Sequence, residues 1–145
     1  MIHAQNHKVV AEVPAAAIGA TATASLTIDT IGFDHASVTV LRASNASTVF
    51  ANVIKVEESD DNSSYSNVTA LVGGGTGGFS IPAVSSTSAT SILKLDIDTK
   101  AKKRYLKVSY TPGASANVAI VGRLGRGEES PVSNSDAGVI GRVVG

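Results

Sequence analysis

Gly73, Gly75 and Gly78 fit the G-x-G-x-x-G spacing of a dinucleotide-binding loop. That loop holds a pyrophosphate only where a helix begins, because helix N-terminal amides make the site. Here Phe79-Ser80-Ile81-Pro82 follows, which does not open a helix. The stretch is therefore read as a flexible glycine connector. Glu57, Glu58, Asp60 and Asp61 offer oxygen ligands for Ca²⁺, but without EF-hand spacing. Ser59 to Ser64 is rich in side chains that bond their own backbone, which favours a turn over a metal loop. His3 and His7 are four residues apart, a metal spacing only on a helix, and they precede a strand-like segment. They read as solvated histidines. His35 stands beside Asp34, but the chain has no strand–elbow–helix nucleophile motif. His35 reads as a turn or interface residue. Lys100-Ala101-Lys102-Lys103-Arg104 is the one basic cluster. It suits either a solvated loop or docking on an acidic partner. No catalytic residue, cofactor site or metal site is expected.

Composition narrows the classes. The chain has 145 residues, enough for one domain with a real core. Its 12 basic and 12 acidic residues cancel, which argues against a dedicated binder of nucleic acid or anionic membranes. Cysteine is absent, so disulfides and thiolate metal sites are excluded. No apolar run approaches the roughly 18–20 residues of a membrane helix. The start Met1-Ile2-His3-Ala4-Gln5-Asn6-His7 lacks signal-peptide features, so synthesis in a cytoplasm is expected. With 3 Phe, 3 Tyr and no Trp, the core must come from aliphatic residues.

The elements that must carry these residues are strands. Ala24, Leu26 and Ile28 alternate with Ser25, Thr27 and Asp29. Ala36, Val38 and Val40 alternate with Ser37, Thr39 and Leu41. Ile54 and Val56 enter a hairpin over residues 53–68, and Val68 to Val72 continues from it. Ile92 or Leu93, with Leu95 and Ile97, then Leu106 and Val108, then Val118 to Leu124, complete the set. A short strand over His7 to Val13 stops at Pro14. Two-residue periodicity without long amphipathic helices predicts an all-β, antiparallel, jelly-roll-like β-sandwich of about eight strands. The expected divisions are an N-terminal arm at 1–20, a sandwich at 21–124 and an extended tail at 125–145. The tail is nearly unpatterned until Val139, Ile140, Val143 and Val144. It is expected to be disordered or pinned to a neighbouring molecule's sheet edge.

Two segments carry a resemblance. Leu26-Thr27-Ile28-Asp29-Thr30-Ile31-Gly32-Phe33-Asp34-His35-Ala36 ends a strand in an "IDT-x-G-aromatic" pattern, and Val53 to Asp61 ends in "ESDD". Together with Lys102 to Val108 and Ala119 to Arg123, they resemble small structural proteins of the head gene cluster of tailed bacteriophages and prophages. The resemblance covers roughly residues 20 to 125, and the motifs are short. It implies a capsid decoration (cement, auxiliary) protein on the outer head surface, with the major capsid protein as partner and self-association as a homotrimer. It carries over no catalytic residues, and it implies neither nucleic-acid nor membrane binding. The termini and the Gly-rich loop lie outside it. For such a clamp, the expected contacts are Val9 and Val10 in the N-terminal arm, Lys100, Lys102 and Lys103 in the basic loop, and Arg126, Val139, Ile140, Val143 and Val144 in the tail. A competing expectation is a carbohydrate- or host-surface-binding module of the virion or tail, against which the lack of Trp counts.

Overall fold

The computed structural model describes residues 6–127 and 135–141. Eight strands appear in chain order: β1 (His7–Glu12), β2 (Ala24–Asp29), β3 (Phe33–Arg42), β4 (Ala51–Ser59), β5 (Ser66–Val72), β6 (Ser91–Asp98), β7 (Tyr105–Pro112) and β8 (Val118–Gly127). They form two four-stranded antiparallel sheets, ordered β1-β8-β3-β6 and β2-β7-β4-β5. This is the jelly roll that the alternation predicts. The pairing is nested: β4 pairs with β5, β3 with β6, β2 with β7 and β1 with β8. The hairpin over residues 53–68 is thus the apex of a chain folded back on itself from β1 to β8.

The alternation decides the packing. Leu26 and Ile28 from β2, Val38 and Val40 from β3, Leu106 and Val108 from β7, and Ile120 and Leu124 from β8 all point between the sheets and are buried. In β6 the inward set is Leu93, Leu95 and Ile97, while Ile92 is 63% exposed. Gly122 is tightly packed from both its own sheet and the sheet opposite. A Cβ there would lie 3.0 Å from both Ile28 Cδ1 and Val10 Cγ2. Glycine at this rung makes room for the aliphatic tips opposite it.

One end of the interior is polar. Arg42 continues the inward phase of Ala36, Val38 and Val40 and is fully buried. Its Nη1 donates to the carbonyls of Ser47 (3.1 Å) and Val49 (3.0 Å). Among the described residues, its Nε and Nη2 meet no hydrogen-bond partner. Nearby, the Tyr110 hydroxyl donates to the Phe50 carbonyl at 2.6 Å, and the two rings pack at 5.4 Å. Burial pushes the Tyr110 phenol up to about 12.

Three expectations change. Residues 7–12 do not reach outward as an arm; they form the edge strand β1, hydrogen-bonded to β8. Val10 is partly buried and packs against the core. The reason is that β8 offers an open edge, and burying Val10 while pairing that edge is favourable. β8 itself runs past residue 124 to Gly127. The glycine stretch is not a flexible connector. Gly73 N–H donates to Ile54 O (2.8 Å), Gly74 N–H to Phe79 O (2.8 Å) and Phe79 N–H to Val72 O (3.2 Å). A Cβ on Gly78 would sit 1.9 Å from Val72 O, so the loop closes only with glycine there.

The buried guanidinium of Arg42 yields a test. Arg42→Ala leaves a cavity and strands two carbonyls, and should destabilise the fold by about 2–4 kcal/mol in urea unfolding. Arg42→Met strands the same two carbonyls but fills the volume and removes the unsatisfied donors, so it should lose less, about 1–2 kcal/mol. Equal losses for the two variants would show that the bonds to the Ser47 and Val49 carbonyls, and not the filled volume, set the cost.

Candidate docking surfaces

The strand pairing sorts the connections to two ends. The β2–β3, β4–β5 and β6–β7 turns share one end, where Thr30 N–H donates to Arg104 O at 3.0 Å. The remaining connections share the other, joined by bridges such as Ile18–Ala116 and Val49–Ala83.

At the first end the acidic hairpin is a folded turn. Asp61 Oδ1 accepts from Ser64 N–H (2.8 Å), the Ser59 hydroxyl (2.8 Å) and Ser63 N–H (2.9 Å). These donors, Ser64 foremost, hold its carboxyl down at about 2. Asn62 takes a left-handed φ of 56° at the tip, and the Tyr65 hydroxyl donates to its side chain. Burial pushes Glu57 up, but the hydrogen bond and charge of Lys55, joined by Lys107, outweigh it and leave the carboxyl low. Among the described residues no group of three or more His, Cys, Asp or Glu is gathered as a metal site would need.

The basic loop begins with a short 3-10 helix, Thr99–Ala101, capped by Asp98, whose carboxylate accepts from Lys100 N–H at 3.0 Å. Its cations meet acids of neighbouring turns. Lys100 pairs with Asp34 (3.0 Å) and Lys103 with Asp60 (3.2 Å). Arg104 grips Asp29 through Nε (3.0 Å) and Nη2 (2.8 Å). That hydrogen-bonded grip holds the Asp29 carboxyl below its usual range. Lys102 Nζ donates to its neighbour's carbonyl, Ala101 O, at 3.2 Å. The cluster is therefore a cross-linked rim more than a bare positive patch. Such exposed pairs are individually weak, about 0–1 kcal/mol each. A strongly acidic surface could still compete for Lys100, Lys102 and Lys103. Arg126 is exposed near this end, at a left-handed φ of 57°.

The tail behaves differently from its expectation. Residues 135–141 return to the chain's own β1, where Val9 N–H donates to Ala137 O at 2.7 Å. Ala137 is buried, and a Cβ on Gly138 would lie 2.0 Å from Val9 O. The physical reason is proximity: β8 lies beside β1, so a chain leaving β8 meets that edge at high effective concentration. Val139 is half-buried and Ile140 is wholly exposed (109%). Val143 and Val144 lie outside the described residues. Next to the docked segment a groove runs between β1 and β2, lined by Ala11, Ser25, Leu26 and Thr27 among others. The expected contacts among the described residues thus fall into two groups, the basic rim and the β1–tail edge.

Sequence reading missed one concavity lined by two histidines. His7 and His35 both stand opposite Gly125 in register. The phase of His35 with Ser37 places it on the outer face of its sheet, but which strands flank it is not written locally.

No family model matches the chain. No curated protein matches it either. Among solved structures, an exo-β-1,3-galactanase from Phanerochaete chrysosporium with bound β-1,3-galactotriose is similar at 13% identity and a TM-score of 0.31. The match covers 82% of this chain and 28% of that one. A likeness at that score carries no argument. Among the described residues no helix is long and apolar enough to cross a membrane.

The hairpin tip has a signed pH response. The Asp61 carboxylate holds its turn above the unfolded value of about 3.9, and the contribution is lost as pH falls through about 2. Protection of the Ser63 and Ser64 amides, taken relative to their intrinsic exchange rates, should hold at pH 5 and fall between about pH 4 and 2. Asp61→Ala should give fast exchange at both amides even at neutral pH.

Proposed function

We propose that the chain is a virion structural protein that decorates and stabilises the outer capsid surface by bridging neighbouring major capsid proteins. The observation that carries this reading is the chain end laid along a sheet edge. Residues 135–141 lie against β1 and present Ile140 bare to solvent. An apolar side chain held out on an ordered edge is suited to a partner that covers it. The resemblance of residues 26–36 and 53–61 to head-cluster proteins supports the same reading. So does the sorting of the acidic turn and basic rim into internal bonds, which leaves these groups shaping surface rather than performing chemistry. The jelly roll supplies a rigid body that recurs in viral capsid domains, although a fold alone does not assign a role. Trimers at threefold positions are the assembly we favour, because many copies turn a modest contact into firm attachment. The chain acts as a non-catalytic component of the virion.

The test uses heads purified without this protein. Added chain should sediment with them to a fixed saturation and appear as outer-surface density by cryo-microscopy. Ile140→Asp should weaken attachment by about tenfold, which is about 1.4 kcal/mol. Absence of any binding to intact heads would overturn the proposal.

A further inference from the structure

We propose that the outer face of the β1-β8-β3-β6 sheet carries a pocket for a single oxyanion, the phosphate or carboxylate group of a small ligand, held by Arg123 and His35. The face is built by register. His7, Gly125 and His35 share one rung across β1, β8 and β3, and Arg123 and Ser37 share the rung two residues further along. Asp96 stands opposite Ser37 and Lys94 opposite Thr39 on β6. His7, His35, Ser37, Lys94, Asp96 and Arg123 therefore converge, with Gly125 as floor, on one concavity of about 280 Å³. That volume admits an oxyanion with part of the small molecule that bears it.

The floor is open because residue 125 has no side chain. A Cβ there would lie 3.1 Å from His7 Cδ2 and 3.2 Å from His7 Nε2. Glycine lets the imidazole lie against β8 and form one wall, and leaves backbone at the bottom.

The charges decide the ligand's sign. Asp96, the acid of the lining, is already engaged. Lys94 Nζ donates to it at 2.9 Å, and this bond, with help from the Ser37 hydroxyl, holds the carboxyl low. Lys94 and Asp96 thus cancel each other. Arg123 is different. Among the described residues Arg123 makes no ion pair, as is also true of Lys8, Arg42, Lys102 and Arg126, but of these it alone lines this concavity. Its partners in register, Val9 and Ser37, are uncharged. A planar fork of donors beside an imidazole and a hydroxyl matches the two or three oxygens of a carboxylate or phosphate. A neutral sugar ring would lack both the charge and an aromatic platform here, and a divalent cation would face Arg123 and Lys94.

The experiment follows side-chain and amide NMR signals of the full chain at constant ionic strength. The probes are inorganic phosphate, acetate and, as control, chloride. Phosphate or acetate should give saturable shifts at Arg123, His35 and Gly125, and chloride should not. Whichever of the two saturates first names the oxyanion class. Arg123→Ala should weaken the binding by about tenfold or more, the loss of a charge-assisted bond. Arg123→Lys, which keeps the charge without the fork, should fall between. Arg123 is exposed, so these variants should keep the parent melting temperature. Shifts that do not saturate, or that persist unchanged in Arg123→Ala, would overturn the proposal. The test uses free protein, so its outcome is independent of attachment to heads.

Discussion

Two aliphatic faces pressed together hold this molecule, and the other features depend on that contact. Ile28, Val38, Val40, Ile54, Val56, Leu106, Val108, Ile120 and Leu124 are all fully buried. Each such side chain contributes roughly 1.5–3 kcal/mol when withdrawn from water. With no Trp to fill wide gaps, the fit relies on short, stiff, branched residues that stand upright on a pleated surface. Even one rung of β8 gives up its side chain so that Ile28 and Val10 can reach in. The larger and more polar inward residues, Arg42, Phe50 and Tyr110, gather where β3, β4 and β7 meet the second set of connections. There the carbonyls of the 43–50 connection can receive their donors.

That division of labour leaves the polar residues for the perimeter. Acid and base at the first end bind each other across three different turns, so Asp29, Asp34 and Asp60 tie the β6–β7 loop to β2, β3 and the hairpin. The zero net charge of the chain is thus reproduced locally, pair by pair. What stays available for another molecule includes an isoleucine on the returning tail, a groove beside β1, and a guanidinium on the outer face of one sheet, besides single exposed apolar residues such as Ile31 and Ile92.

Much of this was legible. Strict alternation located β2, β3, β6, β7 and β8 to within a few residues, because a two-residue period has one cause, a strand with one buried face. The phase also held a fact that the residue type concealed. Arg42 follows Ala36, Val38 and Val40 at even spacing, and the inward position overrode the ordinary preference of arginine for water. Local pattern could not show the glycine loop closing on Val72, since the same glycines suit a slack linker equally well. Nor could it show His7 and His35 flanking Gly125, because that depends on β8 lying between β1 and β3. Long-range pairing of this kind is set by the nesting of the whole chain. The tail's return to β1 was hidden for the same reason.

The nesting has a further consequence for anyone handling the molecule. The first rung of β1 is paired with the last part of β8, His7 opposite Gly125. The chain therefore enters and leaves the sandwich at neighbouring points, on the same end as the apex hairpin. A fluorophore, affinity tag or displayed peptide joined ahead of β1 starts from nearly the same place as one joined after β8. Whatever body the sandwich sits on, cargo at either junction shares one aspect of it, while the small-residue connections at the opposite end stay unencumbered.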